Sequence, residues 1–319
     1  MSLHKEFQNL ENYMNSCIIG QPDLVRKLIL ALLCNGHLLV EGTPGLAKTK
    51  TIKILSGAIS ANEQRIQFTP DLLPADITGS DVFRPETNQF LFQKGPIFSN
   101  LILADEINRA PAKVQSALLE AMGERQVTVG ATTYRLPDLF MVMATQNPIE
   151  QEGTYTLPEA QLDRFLFYVK ISYPDIESER KILKLIRKEE RQEPLPEIKK
   201  LTEYTIFDAR QEVANIYMSP EIEEYLIQLV MATRHPEPYG SDLDKYIGFA
   251  VSPRGTIALD IASRAHAWLS GRDYVIPEDV KAIVYDVLRH RILPSFEARS
   301  SGITAEKIIE MLLQRVPMV

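Results

Sequence analysis

Cysteine is scarce. The 319-residue chain has two, Cys17 and Cys34, set in apolar surroundings with no CxxC spacing and no histidine cluster nearby. That argues against a disulfide framework or a zinc site and points to a reducing compartment. Long apolar runs are missing too: none approaches the roughly 18 residues a membrane helix needs, and the opening MSLHKEFQNL has no apolar signal core, so a cytoplasmic protein without a membrane span is expected. Nor is there an excess of basic charge, since 35 Lys and Arg against 42 Asp and Glu leave a net charge of −7. Broad nucleic-acid binding, which rests on clustered cations, is thereby disfavoured. The basic run ERKILKLIRKEERQE has Glu177, Glu179, Glu189 and Glu190 in or beside it and reads as a solvated helix face.

What remains is an ordinary globular composition, 45% hydrophobic and 24% charged, in a chain long enough for one large domain or two ordinary ones. PDLVRKLILALLCNG carries Val25, Leu28, Ile29, Leu32 and Leu33 at helical spacing, with Pro22 suited to the first turn and Gly36 to the stop. HLLVEG reads as a buried strand and AKTKTIKILSGAIS as the helix after it. RIQFT, NLILADE, FMVMATQN and RFLFYVKISY are further strands separated by helical stretches. Such alternation predicts an α/β fold with a mostly parallel sheet covered on both faces. The Met-rich FMVMA reads as core.

Two segments interrupt this pattern. ERQVTVGATTYRLP alternates Val127, Val129 and Tyr134 about a GAT turn and predicts a hairpin, while PADITGSDVFRPETNQFLFQKGPIF has β-like pieces around Pro85 to Asn88. As protruding elements they are natural contact points for another molecule. After Tyr173 the texture changes to amphipathic helices, with QEPLPEIKK as a linker. Ser219–Pro220 and Ser252–Pro253 look like helix starts, and Gly271 like a stop. The expected division is residues 1–174 as an αβα nucleotide-binding domain and 175–319 as a helical lid.

The chemistry begins in EGTPGLAKT. Gly42, Thr43, Pro44, Gly45, Leu46, Ala47, Lys48 and Thr49 match G-x-x-x-x-G-K-[ST] except at Ala47. Gly42 and Gly45 meet the need for sharp turns. Position 47 opens the helix, so helical φ/ψ is expected there and the alanine adds only a methyl group. The backbone amides and the helix N-terminus would then hold phosphates, Lys48 would reach the β- and γ-phosphates, and Thr49 would ligate Mg²⁺; Lys50 belongs to the same binding stretch. NLILADE ends a buried strand in Asp105, suited to Mg²⁺, and Glu106, suited to polarising water. Asn147 closes another strand, where its amide can position water or simply form a turn before Pro148. No N-K-x-D stretch follows, which argues against guanine specificity. Arg164 falls at the end of a short helix, exposed at the domain edge. Arg254 stands in a helix's first turn, where a cation needs a compensating anion, either phosphate or a carboxylate.

Taken together, EGTPGLAKT, LADEINRAPAKVQSALLEAMGERQVTV, ATQNPIEQEGTYTLPEAQLDRF and SPRG resemble the MoxR family of AAA+ ATPases, from IIGQ to the final helices. Ala47 is itself typical of that family. The resemblance implies a P-loop αβα core with an all-α lid and a Mg²⁺-dependent ATPase in a ring, usually hexameric, with nucleotide between subunits. Lys48 and Thr49 correspond to Walker A, Asp105 and Glu106 to Walker B, Asn147 to sensor 1 and Arg254 to sensor 2. Arg164 resembles the arginine finger serving the neighbouring subunit, and Ile19 and Gly20 resemble the segment beside adenine. Glu124 to Pro137 matches the presensor-1 hairpin, and roughly Asp76 to Gly95 the helix-2 insert of that clade. The family's chaperone-like role implies a protein client, often with a von Willebrand A domain. Two other functions fit the same motifs: a nucleotide-regulated binding module with little turnover, and a DNA-dependent motor or chelatase-like subunit.

Overall fold

The computed structural model describes residues 2–43, 45–86, 88–147, 155–193 and 196–318. Five parallel strands form the central sheet: β1 (Leu38–Glu41), β2 (Glu63–Gln67), β5 (Leu101–Asp105), β8 (Met141–Gln146) and β9 (Phe167–Lys170), in the order β2-β5-β8-β1-β9. Because side chains alternate across a strand, each run feeds two cores. Leu38, Val40, Leu101, Leu103, Met141 and Met143 enter one cluster. Leu39, Ile102, Ala104, Val142 and Ala144 enter the other, on the opposite face. Both faces are covered, which is why these strands read as continuous apolar runs, and Met141 and Met143 are core as expected.

The first cluster is packed by α1 (Leu3–Cys17), α2 (Pro22–Leu33) and α3 (Lys48–Ala58). It continues into C-terminal helices that include α8 (Glu203–Ala214), α9 (Pro220–Arg234), α11 (Pro253–Leu269), α12 (Pro277–Leu288) and α14 (Ala305–Arg315). The second is closed by α4 (Pro74–Thr78) and α5 (Ala112–Glu124). Shorter helices are α6 (Glu159–Leu162), α10 (Ser241–Tyr246) and α13 (Phe296–Ser300); α7 (Ile176–Glu190) buries none of its residues, in line with a solvated face. Among the described residues no helix is long and apolar enough to cross a membrane.

Both interruptions are hairpins. β3 (Gly79–Arg84) pairs with β4 (Gln89–Lys94), and β6 (Gln126–Val129) with β7 (Thr132–Arg135). Val129 faces Thr132, so the tight turn is Gly130–Ala131, with Gly130 at φ 60°. The ring of Phe92 on β4 stacks on Tyr134 on β7 at 4.0 Å, fastening one hairpin to the other.

Helix ends follow local chemistry. Ser219 and Ser252 accept hydrogen bonds from the N–H groups of Ile222 and Arg254, and Gly271 takes φ 81° after α11. The stop after α2 differs from expectation: Asn35, not Gly36, is left-handed at φ 53°, and the Gly36 N–H then returns to the Ala31 carbonyl at 2.9 Å. Gly36 is needed for another reason, because a Cβ there would lie 2.7 Å from the Leu166 side chain.

Candidate nucleotide site

The loop after β1 is shaped by three residues. A Cβ on Gly42 would come within 2.3 Å of Ile171, so only glycine fits against that side chain. Gly45 has φ 88°. Ala47 has φ 55° and ψ 16°, the left-handed region. The expectation of helical geometry at position 47 is therefore corrected: α3 begins at Lys48, and Ala47 is its cap in a conformation that costs an L-residue roughly 1–2 kcal/mol. The glycine that the general motif asks for would adopt this geometry freely. Thr43 Oγ1 is buried with no hydrogen-bond partner among the described residues. Pro44 lies outside the described residues.

Lys48 opens α3 and donates from Nζ to the Gly42 carbonyl at 2.5 Å, within reach of the loop it belongs to. Burial lowers its pKa, opposed by the charges of Asp105, Glu106 and Glu41. A cavity of about 470 Å³ spreads over this helix start, and Gly45, Leu46, Ala47, Lys48, Thr49 and Lys50 line it together with Asp105, Glu106 and Asn147. Thus the loop after β1 and the carboxyl-terminal ends of β2, β5 and β8 meet at one cleft, as open α/β sheets arrange.

Residues that the sequence reading missed complete its far wall. Arg65 Nη2 pairs with Asp105 Oδ2 at 2.7 Å, and Gln67 Nε2 donates to Glu106 Oε2 at 3.0 Å. Thr145 joins the two acids, donating to Asp105 Oδ1 at 2.6 Å and accepting from the Glu106 N–H at 3.0 Å. Glu106 sits at φ 56° and also accepts from Arg109 at 2.8 Å. The signal for Arg65 and Gln67 was their spacing of two on an edge strand, which puts both on one side.

Mg²⁺ fits this donor set. Thr49 offers a hydroxyl and Asp105 a carboxylate in the same cleft, the hard oxygen ligands that ion prefers. Among the described residues no group of three or more His, Cys, Asp or Glu could hold a metal.

Beside the cleft and sharing Gly45, Leu46, Ala47 and Lys50 with it, a more apolar cavity of about 330 Å³ is lined by Ile18, Ile19, Tyr173, Ile182 and Ile186. Lys50 also pairs with Glu189 of α7 at 2.5 Å. Gly20 does not line this space; at φ 80° it packs under Pro174, which a Cβ would approach to 2.9 Å.

The two arginines lie elsewhere, and neither lines the cleft. Arg164 was expected to be exposed, but it is half-buried, donating from Nη1 to the Leu119 carbonyl of α5 at 2.5 Å. Arg254 is exposed and lines a cavity of about 270 Å³ with Asp163, Ser252 and Arg291. No ion pair engages it among the described residues.

A parallel sheet whose first strand feeds a glycine-bearing loop and a helix start, opposite an acid pair on a second strand, defines a P-loop nucleotide-binding protein of the AAA+ type. Comparison with known proteins agrees. Residues 37–167 match the model of the ATPase family associated with various cellular activities (AAA), and 241–312 match the AAA lid domain. The chain is 44% identical to Chaperone MoxR1 of Mycobacterium tuberculosis, over 94% of this chain and 79% of that protein. YeaC of Bacillus subtilis is 42% identical, over 98% and 95%. A crystal structure of a Cytophaga hutchinsonii protein superposes with a TM-score of 0.92 at 42% identity, covering 99% and 96%. The chain belongs to the MoxR family of AAA+ ATPases.

Proposed function

We propose that this protein hydrolyses ATP with Mg²⁺ and uses the cycle to remodel or assemble protein complexes, working as a ring of like subunits in the cytoplasm. The amides of residues 42–49 and the start of α3 hold the phosphates, with Lys48 on the β- and γ-phosphates. Thr49 and Asp105 hold Mg²⁺, which when bound neutralises charge on the transferring phosphate. Asp105 must first leave Arg65. Glu106 takes a proton from the attacking water, and Asn147 orients that water. Ile19 and the apolar cavity receive the base. The body is residues 1–174 and the lid 175–319.

One observation carries the ring. Among the described residues the cleft holds Lys48, Thr49, Asp105, Glu106 and Asn147, and its one arginine, Arg65, is already engaged by Asp105. The chain segments that bear Arg164 and Arg254 meet away from the cleft, where Asp163, the residue before Arg164, accepts from the Ser252 hydroxyl at the start of α11. A neighbouring subunit, hexameric by family habit, would bring them to the phosphates, and an arginine supplied this way is worth roughly 10³ to 10⁵ in rate. The joined hairpins, with Phe83, Phe90 and Leu91 exposed, would meet the client, a von Willebrand A domain protein by family analogy. The test replaces Glu106 by Gln. ATP should still bind while turnover stops, and the loaded protein should retain its client. Undiminished hydrolysis would reject the role of Glu106, and stimulation by DNA alone would favour a motor instead.

A further inference from the structure

The segments that carry the two arginines are joined by a carboxylate that the proposed mechanism does not use. Asp163 precedes Arg164, in the turn between α6 and β9. Its Oδ1 accepts from Arg291 Nε at 2.8 Å and its Oδ2 from the Ser252 hydroxyl at 2.7 Å. Ser252 is the N-cap of α11 and also accepts from the Arg254 N–H at 3.1 Å, two residues along.

Arg291, just beyond α12, is 6% exposed; its Nη2 meets the Phe165 carbonyl at 2.7 Å, and its Nη1 meets the Leu166 carbonyl at 3.2 Å and His290 Nε2 at 2.8 Å. Asp163 thus ties three separate pieces of chain together, the turn bearing Arg164, the helix start bearing Arg254 and the end of α12. It also answers an electrostatic need. Burial and the nearby charge of Arg254 lower the pKa of Arg291 to about 10, and Asp163 acts in the opposite direction. Without the carboxylate, Arg291 would keep the repulsion of Arg254 and lose the attraction that opposes it.

We propose that Asp163 is a positioning residue that holds Arg164 and Arg254 in fixed relation, so that both reach a neighbouring subunit's phosphates as one unit. The inference rests on the reading that these arginines act between subunits. It adds that their mutual placement is set inside one subunit by the half-buried carboxylate of Asp163. Asp163 touches no nucleotide itself; its effect passes through the backbone on either side of it. A loss of the clamp therefore lowers kcat while leaving the subunit's own cleft able to bind.

Asp163→Asn keeps the shape but removes the charge. It should leave the KM for ATP within about threefold and lower kcat at least tenfold, an effect of about 1.4 kcal/mol or more. The diagnostic is mixing. Lys48→Ala subunits have a disabled cleft and intact arginines, so equal amounts of Lys48→Ala and Asp163→Asn should recover turnover that neither has alone. Arg164→Ala mixed with Lys48→Ala is the control. If that control recovers activity and the Asp163→Asn mixture does not, or if Asp163→Asn alone keeps wild-type kcat, the positioning role is wrong and the shared-site reading stands. If the control also stays silent, the shared-site reading itself falls. Should Asp163→Asn fail to fold by thermal melting, Ser252→Ala, which leaves the Asp163–Arg291 pair intact, carries the same test with a smaller loss of kcat. Wild-type kcat in that variant overturns the proposal.

Discussion

Replacing Ala47 by glycine separates two conformations by the sign of one number. At φ 55° and ψ 16° the alanine carries a left-handed penalty of roughly 1–2 kcal/mol, which glycine removes. Glycine also loosens the unfolded chain, at a cost of about 0.4–1 kcal/mol. The difference is a variant between equal in stability and about 1.6 kcal/mol more stable. Had position 47 been helical, glycine would instead cost about 1 kcal/mol. Urea unfolding of the nucleotide-free protein, comparing wild type, Ala47→Gly and Ala47→Val, reads this directly. Valine, β-branched, should be worse than alanine by more than 1 kcal/mol, since such residues are outliers at positive φ. A destabilised glycine variant together with a tolerated valine would refute the left-handed assignment, and with it the account of how the loop presents its amides.

Two further outcomes follow from buried and paired charges. His37 is buried, accepting at Nδ1 from the Val142 N–H at 3.0 Å, and burial holds its pKa down to about 3. Its folded pKa lies below the unfolded value near 6.5, so the unfolded chain takes up the proton first and stability falls as pH drops, by about 1.4 kcal/mol per unit below that value; His290 pulls the same way. Urea midpoints that stay level from pH 7 to 5 would contradict this. Arg65→Ala removes the cation that occupies Asp105, so Mg²⁺ titrated into the ADP complex should bind about 1.5- to fivefold more tightly by calorimetry, a modest gain because Arg65 is half exposed. Weaker Mg²⁺ binding would mean that Arg65 supports the metal rather than competing with it.

Much of this architecture was legible because its signals are local. The runs that became β1, β5 and β8 needed only apolar continuity and a turn at each end. The hairpin of β6 and β7 showed as alternation about a glycine turn, and the other only as β-like pieces around Pro85 to Asn88. The loop declared itself through Gly42, Gly45, Lys48 and Thr49 in a fixed spacing. What stayed hidden depends on distance along the chain. Arg65 meets Asp105 because β2 lies beside β5 in a register that pairs Gln67 with Asp105, and nothing in RIQFT encodes that neighbour. Thr145 looked like one more strand residue, yet it bonds both acids. The backbone at position 47 was misjudged because alanine is a good helix former and local propensity points the wrong way where the loop imposes the turn. Arg164 and Arg254 were picked out separately. That the segments bearing them are joined through Asp163 and Ser252, away from the cleft, is a product of tertiary packing.

The central claim is that the loop from Gly42 to Thr49 grips a triphosphate. Titrating ATP with Mg²⁺ into wild type and Lys48→Ala by calorimetry tests it most directly. Two charge-assisted hydrogen bonds to phosphate are worth about 3 kcal/mol or more, so one site per chain should bind in the wild type and at least about 100-fold more weakly in the variant. Equal affinity in the two proteins, or no binding in the wild type, would contradict the account.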